Sequence, residues 1–230
     1  LTFPVTKDRT VVATFAKRAT FADVLNGDGN YEAITQLATR GIINPAGVNG
    51  SGRFEPNRGI VRAESAGLIA RAFGWNTEQR DNPFPDRCDP QGQNCIDAEL
   101  WNNVAALAFH NVAFGYPGAP TCEGAGTTPP CYLPRNPVLS AQVISFITRA
   151  FNEQGGWQKP ATDTPGLYPN VPEESGHRLD LVAYVANAGA VPGQPTTGPF
   201  TGYDQPATRR FSAAALWQAM NAYYSVNRLP

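Results

Sequence analysis

The sequence predicts a mainly α domain with long loops. Three helical-hairpin repeats are expected in a pseudo-threefold arrangement, behind an extended N-terminal arm. Three observations lead to this. One stretch recurs without internal gaps: Arg53 to Phe73 (RFEPNRGIVRAESAGLIARAF), Tyr132 to Phe151 (YLPRNPVLSAQVISFITRAF) and Asp204 to Tyr223 (DQPATRRFSAAALWQAMNAY). A short amphipathic helix precedes each copy, carrying Ile34, Leu37, Ala38 and Gly41, then Val104, Leu107, Ala108 and Asn111, then Val182, Val185, Ala186 and Gly189. An aromatic-x-acid/amide opening starts each unit: Phe21 to Asp23, Phe84 to Asp86 and Tyr168 to Asn170. Self-similarity at such a period is the mark of a repeat protein.

Within the recurring stretch a proline stands eight positions before the residue matching Glu64: Pro56 to Glu64, Pro134 to Gln142, Pro206 to Ala214. An alanine precedes that residue each time, as Ala63, Ala141 and Ala213. The helix after the proline buries the face bearing Ala66, Ile69, Ala70 and Phe73. In the preceding helix, apolar residues at i, i+3 and i+4 end in Gly or Asn, which predicts a left-handed C-cap. Each unit is too small to bury an adequate core alone. Residues 21–224 are therefore expected to form one domain of three units (21–73, 84–151 and 168–224), with an arm at 1–20 and a tail at 225–230.

The arm carries Phe3 and Val5 in alternation, then a β-branched and aromatic run with Val11, Val12 and Phe15. It reads as extended or strand. Either it folds back as an edge strand or it is donated to a neighbouring molecule. In the first unit, residues 26–30 (NGDGN) have the look of a calcium loop, but Tyr31 stands where that loop needs glycine, so a turn is expected. Asn49-Gly50-Ser51 is a glycosylation sequon on a surface loop.

The second unit is longer. From Asp86 to Val104 is 18 positions against 11 and 12 in the other units, and from Asn111 to Pro134 is 23 against 15 and 17. Each insertion holds one cysteine pair, Cys88 with Cys95 and Cys122 with Cys131, and there are no other cysteines. Two local disulfides are the simplest reading, among three connectivities that remain open. Each would restrict the unfolded chain by about 2–3 kcal/mol. A four-cysteine zinc site competes poorly, because neither spacing is the short one such sites use. Disulfides would place the chain outside the cytosol.

With 18 basic and 19 acidic residues the chain has no field for a polyanion, and no nucleic-acid partner is expected. No run approaches the roughly 20 apolar residues of a membrane span, and with no leader the chain reads as a mature exported form. No catalytic site, cofactor or metal site is expected. His110 and His177 are the only histidines, Glu173 and Glu174 are merely adjacent, and no hydrolase elbow, phosphate loop or zincin motif occurs.

The openings, the glycine ending the first helix, and Ile60-Val61-Arg62-Ala63-Glu64 at the start of the second resemble the S-layer homology (SLH) family, whose units read roughly F-x-D-V and I-T-R-A-E. The resemblance covers residues 21–224; it is specific in the first unit and degenerate at 138–142 and 210–214. It implies three repeats closing as a pseudo-threefold trimer of helical hairpins, in a secreted protein that holds surface proteins to cell-wall polysaccharide. Arg62 stands at the N-terminal end of its helix on the core-facing side, where a guanidinium and free N–H groups can seat a sugar carboxylate. The competing role for Arg62 is an ion pair with Asp23 or another acid between units. Ser140 and Ser212 align with Arg62 and read as N-caps, so the basic residue is expected in one groove of three, with Arg209 and Arg210 beside the third. Trp75, Trp157 and Tyr203 are candidate exposed aromatics for sugar stacking. Glycan-binding candidates are thus Arg62, Asp23, Arg209, Arg210 and Trp75. The expected function is a non-catalytic structural protein of the cell surface or S-layer, attached to wall polysaccharide or envelope neighbours. The alternative is a subunit that assembles with copies of itself into an extracellular filament or layer, joined by strand donation from the arm.

Overall fold

The computed structural model describes residues 17–89, 92–116, 122, 130–158, 160, 162–164 and 166–226. The arm residues Phe3, Val5, Val11, Val12 and Phe15 lie outside them. The described chain is mainly helical: α1 (Tyr31–Thr39), α2 (Arg62–Ala72), α3 (Ala98–Phe109), α4 (Ser140–Glu153), α5 (Arg178–Ala188) and α6 (Arg209–Val226), joined by long loops with three short 3₁₀ turns. Gly41, Asn111 and Gly189 adopt positive φ where α1, α3 and α5 end. After α1 and α3, Ile42 and Val112 N–H groups reach back to Leu37 O and Leu107 O, which satisfies carbonyls the helix leaves open.

The three openings act as clamps on the backbone. Asp23 accepts from Phe54 N and Glu55 N at 2.8 Å each, and Asp86 accepts from Tyr132 N at 3.0 Å and Leu133 N at 2.6 Å. Asn170 accepts from Phe200 N and donates to Phe200 O. Beside each clamp two rings pack at similar tilt: Phe21 with Phe54, Phe84 with Tyr132, and Tyr168 with Phe200. Burial alone would raise the Asp23 carboxyl, but the Phe54 and Glu55 N–H groups and the Arg53 guanidinium outweigh it and hold it below its usual 3.8. A depressed folded pKa gives stability that is present above the unfolded value and lost as pH falls through the folded one. Asp23→Asn, which copies Asn170, is therefore expected to cost about 1 kcal/mol at pH 7. It should also lose part of the acid sensitivity below about pH 4, read as a smaller drop in urea midpoint between pH 7 and pH 3. An unchanged acid sensitivity would remove Asp23 as its source.

In the first two units helix pairing differs from the hairpin expected within each unit, whereas in the third α5 and α6 do pack on each other. The closest partners are α2 with α3, α4 with α5, and α6 with α1. Each pair joins the second helix of one sequence unit to the first helix of the next, and the last closes on the first. An amphipathic stripe identifies a buried face without naming its partner, and here the partner lies across the unit boundary.

Short extended segments before α2, α4 and α6 meet in a closed ring. Ile60 N–H donates to Ala207 O (2.9 Å), Ala207 N–H to Val138 O (2.8 Å), and Val138 N–H to Ile60 O (3.1 Å). A second ring follows: Arg62 N–H to Asn136 O, Ser140 N–H to Gln205 O, and Arg209 N–H to Arg58 O. These bonds set Arg62, Ser140 and Arg209 at matching places. The third segment is therefore offset by three residues from the alignment through Pro206: Arg209, not Ser212, stands with Arg62, and Pro206 stands with Gly59 and Pro137. The alanine-rich run at 213–215 gives several equally good apolar matches, which is how the offset arises. Neither serine is an N-cap. Ser140 is already within α4, capped by Leu139, and Ser212 donates to Thr208 O while Thr208 Oγ1 accepts from Phe211 N.

Candidate functional site

Arg62 opens α2 and is only 4% exposed. Its Nε donates to Tyr132 O (2.7 Å), and its Nη1 donates to Tyr116 Oη (3.1 Å) and Gln142 Oε1 (3.2 Å). The guanidinium carbon lies 4.7 Å from the ring centroids of both Tyr116 and Tyr132, within cation–π range. Gln142 Nε2 donates to the Tyr116 hydroxyl at 2.8 Å. Tyr132 in turn donates from its hydroxyl to Arg62 O, and burial, partly offset by Arg62, pushes its phenol up to about 12. The ion pair expected as the alternative role of Arg62 is not formed. Asp23 holds the backbone instead, and among the described residues no carboxylate pairs with Arg62.

Arg209 repeats this arrangement at the start of α6. Its Nε donates to Phe54 O (2.7 Å), its guanidinium carbon stands 4.8 Å from the Phe54 ring, and its Nη1 lies 3.5 Å from Glu64 Oε1. Burial lowers its pKa, opposed by the Glu64 charge. Glu64 is placed as Gln142 is: each side chain accepts from the backbone N–H three residues earlier, Val61 N at 3.1 Å and Leu139 N at 3.2 Å. Arg58 also pairs with Glu64, at 2.6 Å.

One loop residue decides whether each seat is filled. Val48 N–H donates to Arg53 O and Tyr116 N–H donates to Cys131 O, both at 2.8 Å, so Val48 and Tyr116 hold the same place beside their arginines. The residue before each is a glycine at positive φ, and a β-carbon on Gly47 would come within 2.6 Å of Arg53 O, on Gly115 within 2.9 Å of Cys131 O. Only glycine brings the loop this close. At Arg62 the Tyr116 ring fills the seat. At Arg209 the smaller Val48 leaves a groove of about 460 Å³, lined also by Asn44, Glu64, Arg71 and Glu99. Arg71 and Glu99 pair across it at 3.1 Å.

The remaining candidates are placed elsewhere. Arg210 reaches Asp28 at 3.3 Å, outside this groove. Trp75 is buried, stacked on His110 at 4.0 Å and on Phe73 at 4.8 Å, and Trp157 is buried against Phe151 and Tyr184. The expectation that both are exposed is thereby corrected; large apolar rings fill gaps between elements. Tyr203 is half-buried and gives its carbonyl to Ala141 N. His110 lies between Glu78 (3.1 Å) and Glu153 (3.4 Å), and His177 Nδ1 lies 2.8 Å from Ser145 Oγ. Among the described residues no group of three or more His, Cys, Asp and Glu side chains could hold a metal ion.

Cysteine pairing is the local one: Cys88–Cys95 and Cys122–Cys131, with no free cysteine among the described residues. Two disulfides fit a secreted protein. Among the described residues no helix is long and apolar enough to cross a membrane. Tyr116 and Val48 were not singled out by the sequence, and Gln142 was named only as the match of Glu64; the one other signal near them was the insertion that carries Cys122 and Cys131. No family model matches the chain, and no curated protein matches it significantly.

Proposed function

We propose that this chain is a non-catalytic, secreted structural protein of the cell surface that attaches to cell-wall polysaccharide through the groove at Arg209. In this reading residues 21–224 form one domain of three SLH-like units around a pseudo-threefold axis. The closed hydrogen-bond rings and the three matching clamps support that arrangement. The observation that carries the binding reading is the return of the Arg62 geometry at Arg209, this time beside open space. A guanidinium with neighbouring amide and carboxylate side chains presents the directional polar groups that a polyhydroxylated ring needs.

The test is co-sedimentation with purified wall polysaccharide. Arg209→Ala is expected to weaken retention at least tenfold, which corresponds to about 1.4 kcal/mol. Arg210→Ala, outside the groove, should bind as the native protein does. Equal retention of native protein and Arg209→Ala would overturn the assignment of the groove, and no retention of either would overturn the attachment itself.

A further inference from the structure

The Arg62 seat holds its own occupant, and that occupant describes what the Arg209 seat accepts. At Arg62 a six-membered ring faces the guanidinium, and its hydroxyl takes hydrogen bonds from Arg62 Nη1 and Gln142 Nε2. At Arg209 the ring is missing, while the guanidinium and its backbone anchor keep the same geometry. The polar frames differ at the residue that would face the ring's hydroxyl. Gln142 donates to the hydroxyl, whereas Glu64 in the matching place can only accept.

We propose that the groove at Arg209 seats one uncharged, hydroxyl-bearing ring, a neutral saccharide in preference to a uronic acid. The ring takes the place of Tyr116, with a hydroxyl that accepts from Arg209 and donates to Glu64. The lining sets a carboxylate at a disadvantage. Glu64 is shared by Arg58 and Arg209, and Glu99 is paired with Arg71, so a ligand anion would sit beside two carboxylates whose cations are already engaged. A hydroxyl uses both the donor and the acceptor, where a carboxylate would be set against Glu64. The proposal rests on the polysaccharide reading for the source of the ring, but its chemistry comes from Tyr116. It also fixes the stoichiometry: one seat is open at Arg209 and the one at Arg62 is filled by the chain itself.

The full chain would be titrated by calorimetry with a neutral disaccharide, with the same disaccharide oxidised to a uronic acid, and with p-cresol as the mimic of the Tyr116 side chain. The neutral sugar is expected to bind at one site per chain, at least tenfold tighter than the uronic acid. Val48→Tyr, which builds the Arg62 arrangement at Arg209, should abolish binding of the sugar and of p-cresol. Glu64→Gln keeps the helix cap as Gln142 does, and should narrow or reverse the preference for the neutral sugar. Tighter binding of the uronic acid by the native chain would overturn this inference and leave the polysaccharide reading standing. Binding of p-cresol with no sugar bound would overturn both the polysaccharide reading and the saccharide preference. Binding undiminished in Val48→Tyr, or no binding of any probe, would overturn the inference outright.

Discussion

Arg62→Ala is expected to destabilise the domain by about 3–5 kcal/mol, the largest loss from any single substitution considered for this chain. The reason is local and countable. The change removes the donors to Tyr132 O, Tyr116 Oη and Gln142 Oε1 and leaves a void between two tyrosine rings. These partners belong to the neighbouring sequence unit, so the loss falls on the contact between units. Arg209→Ala should cost less, about 1–2 kcal/mol, because its head lies beside an open groove where water replaces lost bonds. Urea denaturation of the two variants gives the comparison. A loss of under 1 kcal/mol for Arg62→Ala would mean that the aromatic cage contributes little, and equal losses would mean that the groove is not open.

Removing the third unit should abolish folding altogether. A chain ending at residue 158 lacks α5 and α6, which deprives α4 and α1 of their partners. It also breaks both hydrogen-bond rings, since Ala207, Gln205 and Arg209 are members of them. The exposed faces include Ile34, Leu37, Ala38, Ile144 and Ile147, all fully or nearly fully buried in the whole chain. Circular dichroism on such a fragment is expected to show no cooperative transition in urea, with hydrophobic-dye binding in its absence. A sharp sigmoidal transition would show that two units suffice.

Much of the secondary structure was legible because its determinants are local. The spacing of Ile34, Leu37 and Ala38 and the glycine at 41 specify a helix and its end whatever surrounds them. Disulfide pairing was legible because each insertion carried its own two cysteines. Partnership was not legible for the first two units, since an apolar stripe does not name the helix that covers it, and α1 packs on α6. Register in the third unit failed for a related reason: Ala213, Ala214 and Ala215 are interchangeable as small apolar residues, whereas the backbone ring is specific to one alignment.

The candidate site proposed from the fold and the one expected from the sequence share a residue type and differ in place. The sequence pointed to an arginine at the start of the second helix, and Arg209 was named for its nearness to that helix and not for its equivalence to Arg62. What distinguishes an open seat from a filled one is Val48 against Tyr116, two loop residues whose shared position depends on Gly47 and Gly115 in folded geometry. No motif marks that pair. Asp23 and Trp75 show the limit of residue type as a guide: a carboxylate serves a backbone clamp as readily as a ligand, and an indole fills a core as readily as it stacks on a sugar.

The pairing of α6 with α1 has a consequence for biosynthesis. Helix α1 rests on α6, which follows after roughly 170 residues, or about 10–30 s of synthesis. Throughout that interval the nascent chain holds an apolar helix face with nothing to cover it, and the domain cannot lock before its final segment arrives. A segment built this way stays threadable until α6 has been made, which delays the point at which the finished object resists being pulled apart.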